Sequence, residues 1–403
     1  MDFGLYVVAQ LVGATIASIL VMPIAGDTGA LFADGIGHPA KAEGASWLGA
    51  FLCELIITFA LCHVVLHTAT SKASEGKSYY GLAIGFTVLS GAISVGGVSG
   101  GAFNPAVSVL TLAVGEYSSV WLYWLGPLLG GALAGGLFRL THQSEVKSKI
   151  AQGQGNDAKP ASADFVIEFI GTFLLSFTVA CAAAPANASS ALASLSIGSM
   201  LMANVYAGGP TSGGHYNPAV TLAVYLRVTV FGGDDGLPRR KALLYVLTQL
   251  SAGVVAGPIA RVCIGDIGYP APREDVSLFV AWYVELLATF FLAFTVLQSA
   301  TAPAASGNSF FGVAIGFVVT AMAVTVGPIS GGALNPAVSM LAFDGSLNGG
   351  VDYPWRTTVA VYFTACPLGG ILAALCYRVT NYAEFESTPG GAQELPSYES
   401  LQV

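Results

Sequence analysis

Three glutamates stand inside apolar stretches of this chain, and an Asn-Pro-Ala triplet follows each at an almost constant distance. Glu54, Glu168 and Glu285 open an E-x-x-x-T-F pattern, and Asn104, Asn217 and Asn335 lie 50, 49 and 50 residues further on. A carboxylate in an apolar span is costly. It either marks a pathway for ions and protons, or accepts hydrogen bonds that an irregular backbone nearby would otherwise leave unmade. An asparagine amide can replace hydration around a passing neutral molecule without fixing a charge. Asn followed by Pro is also a strong helix start, so a capping role alone is the competing reading. The other reactive types suggest less. The five histidines form no metal-binding spacing, and the six cysteines (Cys53, Cys62, Cys181, Cys263, Cys366, Cys376) contain no CxxC pair and read as buried apolar side chains. No nucleophile–base pair or metal set is visible, so an enzyme is disfavoured and no cofactor is expected.

These residues need elements that can hold them. Only 9% of the 403 residues are charged, against about 25% in an average soluble domain, while 54% are hydrophobic and 50 are glycine. Mean hydropathy is +0.69. Such a chain is too apolar for disorder or for a soluble surface, and its net charge of −8 with no basic stripe excludes nucleic acid. It reads as an all-α membrane protein embedded in a lipid bilayer. The first apolar run lacks a charged leader and a clear cleavage site, and is taken as a span. Ten stretches are long enough to cross, about 4–25, 47–69, 78–98, 120–141, 163–184, 190–209, 243–264, 279–300, 310–328 and 357–380. Three more, 103–113, 216–226 and 334–343, are too short. Each begins at an Asn-Pro-Ala after a glycine-rich approach and reads as a re-entrant half-helix. With that topology eleven of the fifteen Lys and Arg fall on the side of both termini, which makes that side cytoplasmic. Treating 216–226 as a full crossing would move the Arg239-Arg240-Lys241 cluster across and spoil the asymmetry.

The pattern is a repeat. Residues 82–110 match 313–341 without a gap at an offset of 231, which also carries Glu54 onto Glu285. A third, weaker copy holds Glu168 and Asn217. Each copy contains three crossings, so neighbouring copies are inserted upside down, and inverted repeats place functional groups at the midplane near their interface.

SGGHYNPAV at 212–220 and ISGGALNPAV at 329–338 resemble the paired pore loops of the major intrinsic proteins, the aquaporin and aquaglyceroporin family. VYFTACPLGGILAAL at 361–375 resembles that family's last helix. The resemblance implies aquaporin-like inverted three-helix repeats over 161–383 as a complete six-helix unit. Residues 1–145 match only the third helix and second repeat of another unit, giving a tandem fusion with an incomplete first half. It further implies a pore in which Asn217, Pro218, Ala219 and Asn335, Pro336, Ala337 meet. Asn104, Pro105 and Ala106 lack an opposing triplet within 1–145. Glu54, Glu168, Glu285 and His215 then become loop supports.

Selectivity departs from the family pattern. The family usually has Arg three residues after the second-repeat Asn, and this chain has Val338. Counting back from each Asn assigns Ile197, Ala323 and Gly332 to the remaining filter positions, an apolar and wide set. The expected function is a passive channel for water and small neutral solutes of the glycerol, urea and ammonia class. The runner-up is a non-conducting structural or assembly protein of the same fold, and a coupled transporter is third. Family resemblance implies a homo-oligomer with a tetramer-like arrangement of pore units. The polar stretch 146–160 reads as a cytoplasmic linker and 384–403 as an acidic disordered tail. Asn187-Ala-Ser189 is a glycosylation candidate, and Tyr398 to Leu401 resembles a sorting signal. The chain is expected to be multi-pass with both termini cytoplasmic, the plasma membrane being favoured.

Overall fold

A computed structural model describes residues 2–25, 38–143, 145, 160, 162–185, 192–232, 236–347 and 355–385. The expected linker (apart from Pro160), the tail beyond Phe385, the candidate sequon and the Tyr398 motif lie outside the described residues. The described elements are helical. The N-terminal set is α1 (Asp2–Ala25), α2 (Trp47–Val65), α3 (Tyr80–Ser99), α4 (Val109–Ala113) and α5 (Val120–Thr141). The C-terminal set is α6 (Ala163–Ala182), α7 (Leu192–Ser212), α8 (Pro218–Tyr225), α9 (Arg239–Ile264), α10 (Leu278–Val296), α11 (Phe311–Ser330), α12 (Pro336–Ser339), α13 (Leu341–Leu347) and α14 (Trp355–Thr380).

Among the described residues nine helices are long and apolar enough to cross a bilayer, which makes this an integral, multi-pass membrane protein. The tenth expected span, 190–209, forms the 21-residue helix α7 but is not among the nine. Its serines, Asn204 and Thr211 lower its hydropathy. They are tolerated because most of α7 is buried against other helices instead of lipid.

Local chemistry fixes the repeated boundaries. Ser46 and Ser277, 231 residues apart, cap α2 and α10 by accepting the amides of Gly49 and Val280 at 2.8 and 3.3 Å. Both helices loosen into π-turns at the same place, Leu66–Thr70 and Leu297–Thr301. α3, α7 and α11 each stop at a left-handed glycine, Gly100, Gly213 and Gly331 with φ of 92°, 92° and 89°.

Helix contacts are close because they use residues without side chains. A methyl on Gly130 of α5 would lie 2.4 Å from the Leu55 carbonyl of α2, and one on Gly369 of α14 would lie 2.6 Å from the Leu286 carbonyl of α10. At the α7–α11 crossing a methyl on Gly198 would sit 2.4 Å from the Gly316 carbonyl. Lipid supplies no hydrophobic drive between spans, so this proximity of backbones is what holds them.

The two sets meet along α3 and α7. Ser90 and Ser196 donate to each other's carbonyls at 2.9 and 3.0 Å, and the Tyr79 ring stacks on Tyr206 with centroids 4.3 Å apart. At a second contact Gly49 of α2 abuts the Cys263 carbonyl of α9.

Candidate functional site: paired half-helices and the cavity beside them

Each of the three glycine turns is built on one carboxylate. Glu168 accepts the Ser212 hydroxyl at 2.7 Å, the amides of His215 and Tyr216 at 2.9 and 2.7 Å, and the Gln249 side chain at 2.8 Å. Glu285 accepts Ser330 at 2.7 Å and the amides of Ala333 and Leu334 at 2.9 and 2.8 Å. Glu54 accepts Ser99 at 2.7 Å and the amides of Ala102 and Phe103 at 3.0 and 2.6 Å. All three glutamates are fully buried. Their bonds gather the donors of a turn that cannot satisfy itself, because Phe103, Tyr216 and Leu334 are forced to φ of 50°, 50° and 52°. Positive φ is unusual for large side chains, and three equivalent occurrences identify one repeated loop.

A second support was not part of the sequence reading. Tyr123, Tyr245 and Tyr362 donate to the carbonyls of Ser99, Ser212 and Ser330 at 2.6, 2.8 and 2.5 Å. The serines themselves had a visible signal, since Ser-Gly-Gly precedes every copy of the triplet. Beside Glu285 the counterpart of Gln249 is Cys366, four residues after Tyr362 as Gln249 is after Tyr245, and its thiol donates to the carboxylate at 3.9 Å. His215 Nδ1 lies 3.1 Å from Thr221 Oγ1, tying the loop to the first turn of α8.

The structure brings Asn217 and Asn335 together. Each side-chain oxygen caps its own half-helix, accepting the amides of Ala219 and Ala337 at 2.9 Å. Each side-chain nitrogen crosses to the other loop, Asn217 donating to the Leu334 carbonyl at 2.8 Å and Asn335 to the Tyr216 carbonyl at 2.9 Å. Pro218 and Pro336 start α8 and α12, where a missing amide costs nothing. The two N-terminal helix ends, with their partial positive charge, thus face one another. The second half-helix is interrupted at Met340, α12 covering four residues before α13 resumes.

A cavity of about 550 Å³ runs beside this pair. Asn217, Asn335, His215, Ile197, Ala323, Gly332 and Val338 all line it. The rest of the lining is dominated by aliphatic side chains of α6, α7, α10 and α11. Beyond the end of α11, whose Ile329 carbonyl accepts the Arg273 amide at 3.0 Å, Arg273 pairs with Asp275 on the surface and its hydrogen bond holds the Asp275 carboxyl below the usual range.

Asn104 is placed differently. It caps in the same way, accepting the Ala106 amide at 2.9 Å, but the chain then runs through turns and becomes helical only at Val109. The expected half-helix over 103–113 is therefore shortened to Val109–Ala113. Asn104 is exposed, and Val107, the counterpart of Val338, is 48% exposed where Val338 is 3%. No amide from an opposing loop reaches the Phe103 carbonyl, which instead accepts the Thr58 hydroxyl at 3.2 Å. The equivalent hydroxyls of Thr172 and Thr289 are buried and make no such bond.

Among the described residues no set of three His, Cys, Asp or Glu side chains is placed to hold a metal, and all six cysteines are free thiols.

Comparison with known proteins adds to this geometry. The family model described as Major intrinsic protein matches residues 3–138 and 200–377. The glycerol uptake facilitator protein-like 6 of Lactiplantibacillus plantarum is 29% identical over 221 residues, covering 53% of this chain and 96% of the relative. Aquaporin AqpM of Methanothermobacter thermautotrophicus is 31% identical over 242 residues, covering 53% and 95%. A probable aquaporin TIP2-2 of Oryza sativa is 36% identical over 155 residues, covering 37% of this chain, which spans 58% of that relative's length. The aquaglyceroporin structure from Plasmodium falciparum aligns over 55% of this chain and 97% of its own at 20% identity, with a TM-score of 0.47. With matched segments on both sides of the linker and two of its three Asn-Pro-Ala turns locked face to face, the chain belongs to the major intrinsic protein family.

Proposed function

We propose that residues 161–383 form a passive pore for water and small neutral solutes, and that the Asn-Pro-Ala turn within residues 1–145 takes no part in that pore. The observation that carries the first part is the cavity lined by both paired asparagines and by Ile197, Ala323, Gly332 and Val338 together. Asn217 and Asn335 each commit one nitrogen and one oxygen to the loops. They still present amide edges to the cavity, so a molecule there exchanges hydrogen bonds one at a time. Two helix N-termini at the same level oppose cations and protons. The filter wall has no arginine, histidine or bulky aromatic among the four counted positions, which favours a wide pore passing urea, glycerol and ammonia as well as water. Glu168 and Glu285 act as scaffold: their oxygens are taken up by loop donors, which leaves little for coupling an ion.

The second part rests on Asn104, which is exposed and faces no partner triplet. Residues 1–145 brace the pore unit through the Ser90–Ser196 and Tyr79–Tyr206 contacts. The distribution of Lys and Arg supports a topology with both termini in the cytoplasm.

Stopped-flow swelling of proteoliposomes tests the proposal. Wild type should conduct water, urea and glycerol, Asn217→Asp should conduct less of each, and Asn104→Asp should match wild type. Water flux with no urea, glycerol or ammonia flux would overturn the wide-pore reading. No flux at all would leave a scaffold.

A further inference from the structure

Two copies of one helix in this chain carry the same face, and only one of them uses it. In the pore unit α11 packs against α7 through Gly312 and Gly316. A methyl on Gly312 would lie 2.7 Å from the Tyr206 ring, and one on Gly316 would lie 2.5 Å from the Gly198 carbonyl oxygen. Phe311 and Val319, on either side of these glycines, are buried. At the offset of 231 the same positions of α3 hold Tyr80, Gly81, Gly85 and Val88. There a methyl on either glycine meets nothing within 4 Å, and Tyr80 and Val88 are exposed. α3 reaches α7 by its other side, through Ser90. The face that receives α7 in the pore unit is thus retained in α3 and left open.

α1 carries a second, independent imprint. Its residues 6–11, Tyr-Val-Val-Ala-Gln-Leu, correspond to residues 245–250 of α9, Tyr-Val-Leu-Thr-Gln-Leu. In α9 Tyr245 donates to the Ser212 carbonyl at the end of α7, and Gln249 donates to Glu168 of α6, both at 2.8 Å. Both side chains are fully buried by these contacts with the first repeat. Tyr6 and Gln10 keep the residue types and the spacing, but both are exposed. Gln10 lies well inside a 24-residue apolar helix, where lipid offers its amide no hydrogen-bond partner. The glycine face of α3 therefore matches a helix like α7, and Gln10 matches a carboxylate held as Glu168 is held in α6.

We propose that α1 and α3 together form a docking surface for a separate polypeptide with the chemistry of α6–α8. Such a partner has one span with a buried glutamate, a second with a small-residue face like that of Gly198, and then an Asn-Pro-Ala half-helix. A second copy of this chain is unsuited, because its α7 is already held between its own α3 and α11. The occupant is a half-unit whose α7-like face is not covered by a second repeat of its own. Once docked, its triplet stands towards Asn104 as Asn217 stands towards Asn335.

The test uses the full chain and, as probe, a tagged polypeptide of residues 161–238 of the same sequence, co-expressed and purified in mild detergent. Wild type should retain the probe in stoichiometric amount. Gly85→Leu overfills the open face and should lower the retained probe about tenfold. Gln10→Leu removes one hydrogen bond between helices and should lower it about threefold. Since a methyl at Gly85 meets nothing, Gly85→Leu alone should unfold no earlier than wild type. Probe in the membrane fraction is measured in every sample, so an inserted probe that wild type does not retain overturns the proposal. Retention unchanged in either variant also overturns it; in Gly85→Leu it would mean that the probe exchanges with the chain's own α6–α8. Retention is read without any flux, so its failure leaves the channel reading of residues 161–383 untouched.

Discussion

Replacing a loop carboxylate by its amide separates support from conduction, because the same change can be made in both units. Glu168 receives four donors, two on each oxygen. Glu168→Gln keeps one acceptor and turns the other into a donor, so two donors lose their partner. Whichever way the amide is turned, a backbone N–H of His215 or Tyr216 is among them, and it cannot rotate away. A buried donor left unmade costs about 1–3 kcal/mol, so the substitution should cost about 2–5 kcal/mol. For a folding unit of this size that lowers the unfolding midpoint by roughly 4–15 °C. Glu54→Gln strands either the Ser99 and Ala102 donors or the Phe103 amide, and should destabilise by about 1–5 kcal/mol. Flux should part the two. Glu168→Gln displaces the loop that carries Asn217 and should lower permeability per folded channel, while Glu54→Gln should leave it unchanged. Thermal unfolding in detergent, followed by swelling assays on the surviving folded fraction, provides both readings. A Glu168→Gln protein as stable as wild type but without flux would refute the scaffold argument, since the carboxylate would then act in the pathway. Equal flux loss in Glu54→Gln would refute the assignment of one pore.

Five other substitutions give three further tests. Tyr123→Phe, Tyr245→Phe and Tyr362→Phe each remove one bond to a serine carbonyl and should each cost about 1 kcal/mol in thermal unfolding, with no single copy dominant. Val338→Arg puts a cation into an apolar wall beside Asn335, and swelling assays should show urea and glycerol flux falling more than water flux. Glu384→Gln leaves the buried Arg227 guanidinium without its carboxylate, at a cost of about 3–5 kcal/mol, visible as a lower unfolding midpoint and faster proteolysis near Phe385.

Much of the site was legible because it is written three times. The Glu to Asn-Pro-Ala spacing survives every copy, and it led directly to the carboxylates that hold the turns. The tyrosines escaped because their spacing drifts: Tyr123 follows Asn104 by 19 residues, whereas Tyr245 and Tyr362 follow their asparagines by 28 and 27. A shorter connection before α5 hides an equivalence that is obvious once all three hydroxyls point at the same serine carbonyl. The spans were legible from hydropathy, including α7, although its polarity only makes sense once it is seen between α3 and α11.

The half-helix at Asn104 shows where local sequence stops deciding structure. Residues 104–108 and 335–339 are both Asn-Pro-Ala-Val-Ser, and both preceding turns rest on a buried glutamate. The cap forms in each, with the same 2.9 Å bond from the alanine amide to the asparagine oxygen. Helix follows at once only after Asn335. A helix of one or two turns is not stable by itself, so its persistence must come from packing. In the pore unit that packing is reciprocal. Gly253 of α9 approaches so near that a methyl would lie 2.0 Å from the Ala337 carbonyl, and Gly370 of α14 would meet the Ala219 carbonyl at 2.5 Å. Each half-helix is thus gripped by the third span of the opposite repeat, and each asparagine reaches across to the opposite loop. Residues 1–145 contain one such loop and no opposite one, so no second loop receives Asn104, and after the cap the chain becomes helical only at Val109. The triplet therefore specifies a turn by itself and an immediate half-helix only as one of a pair.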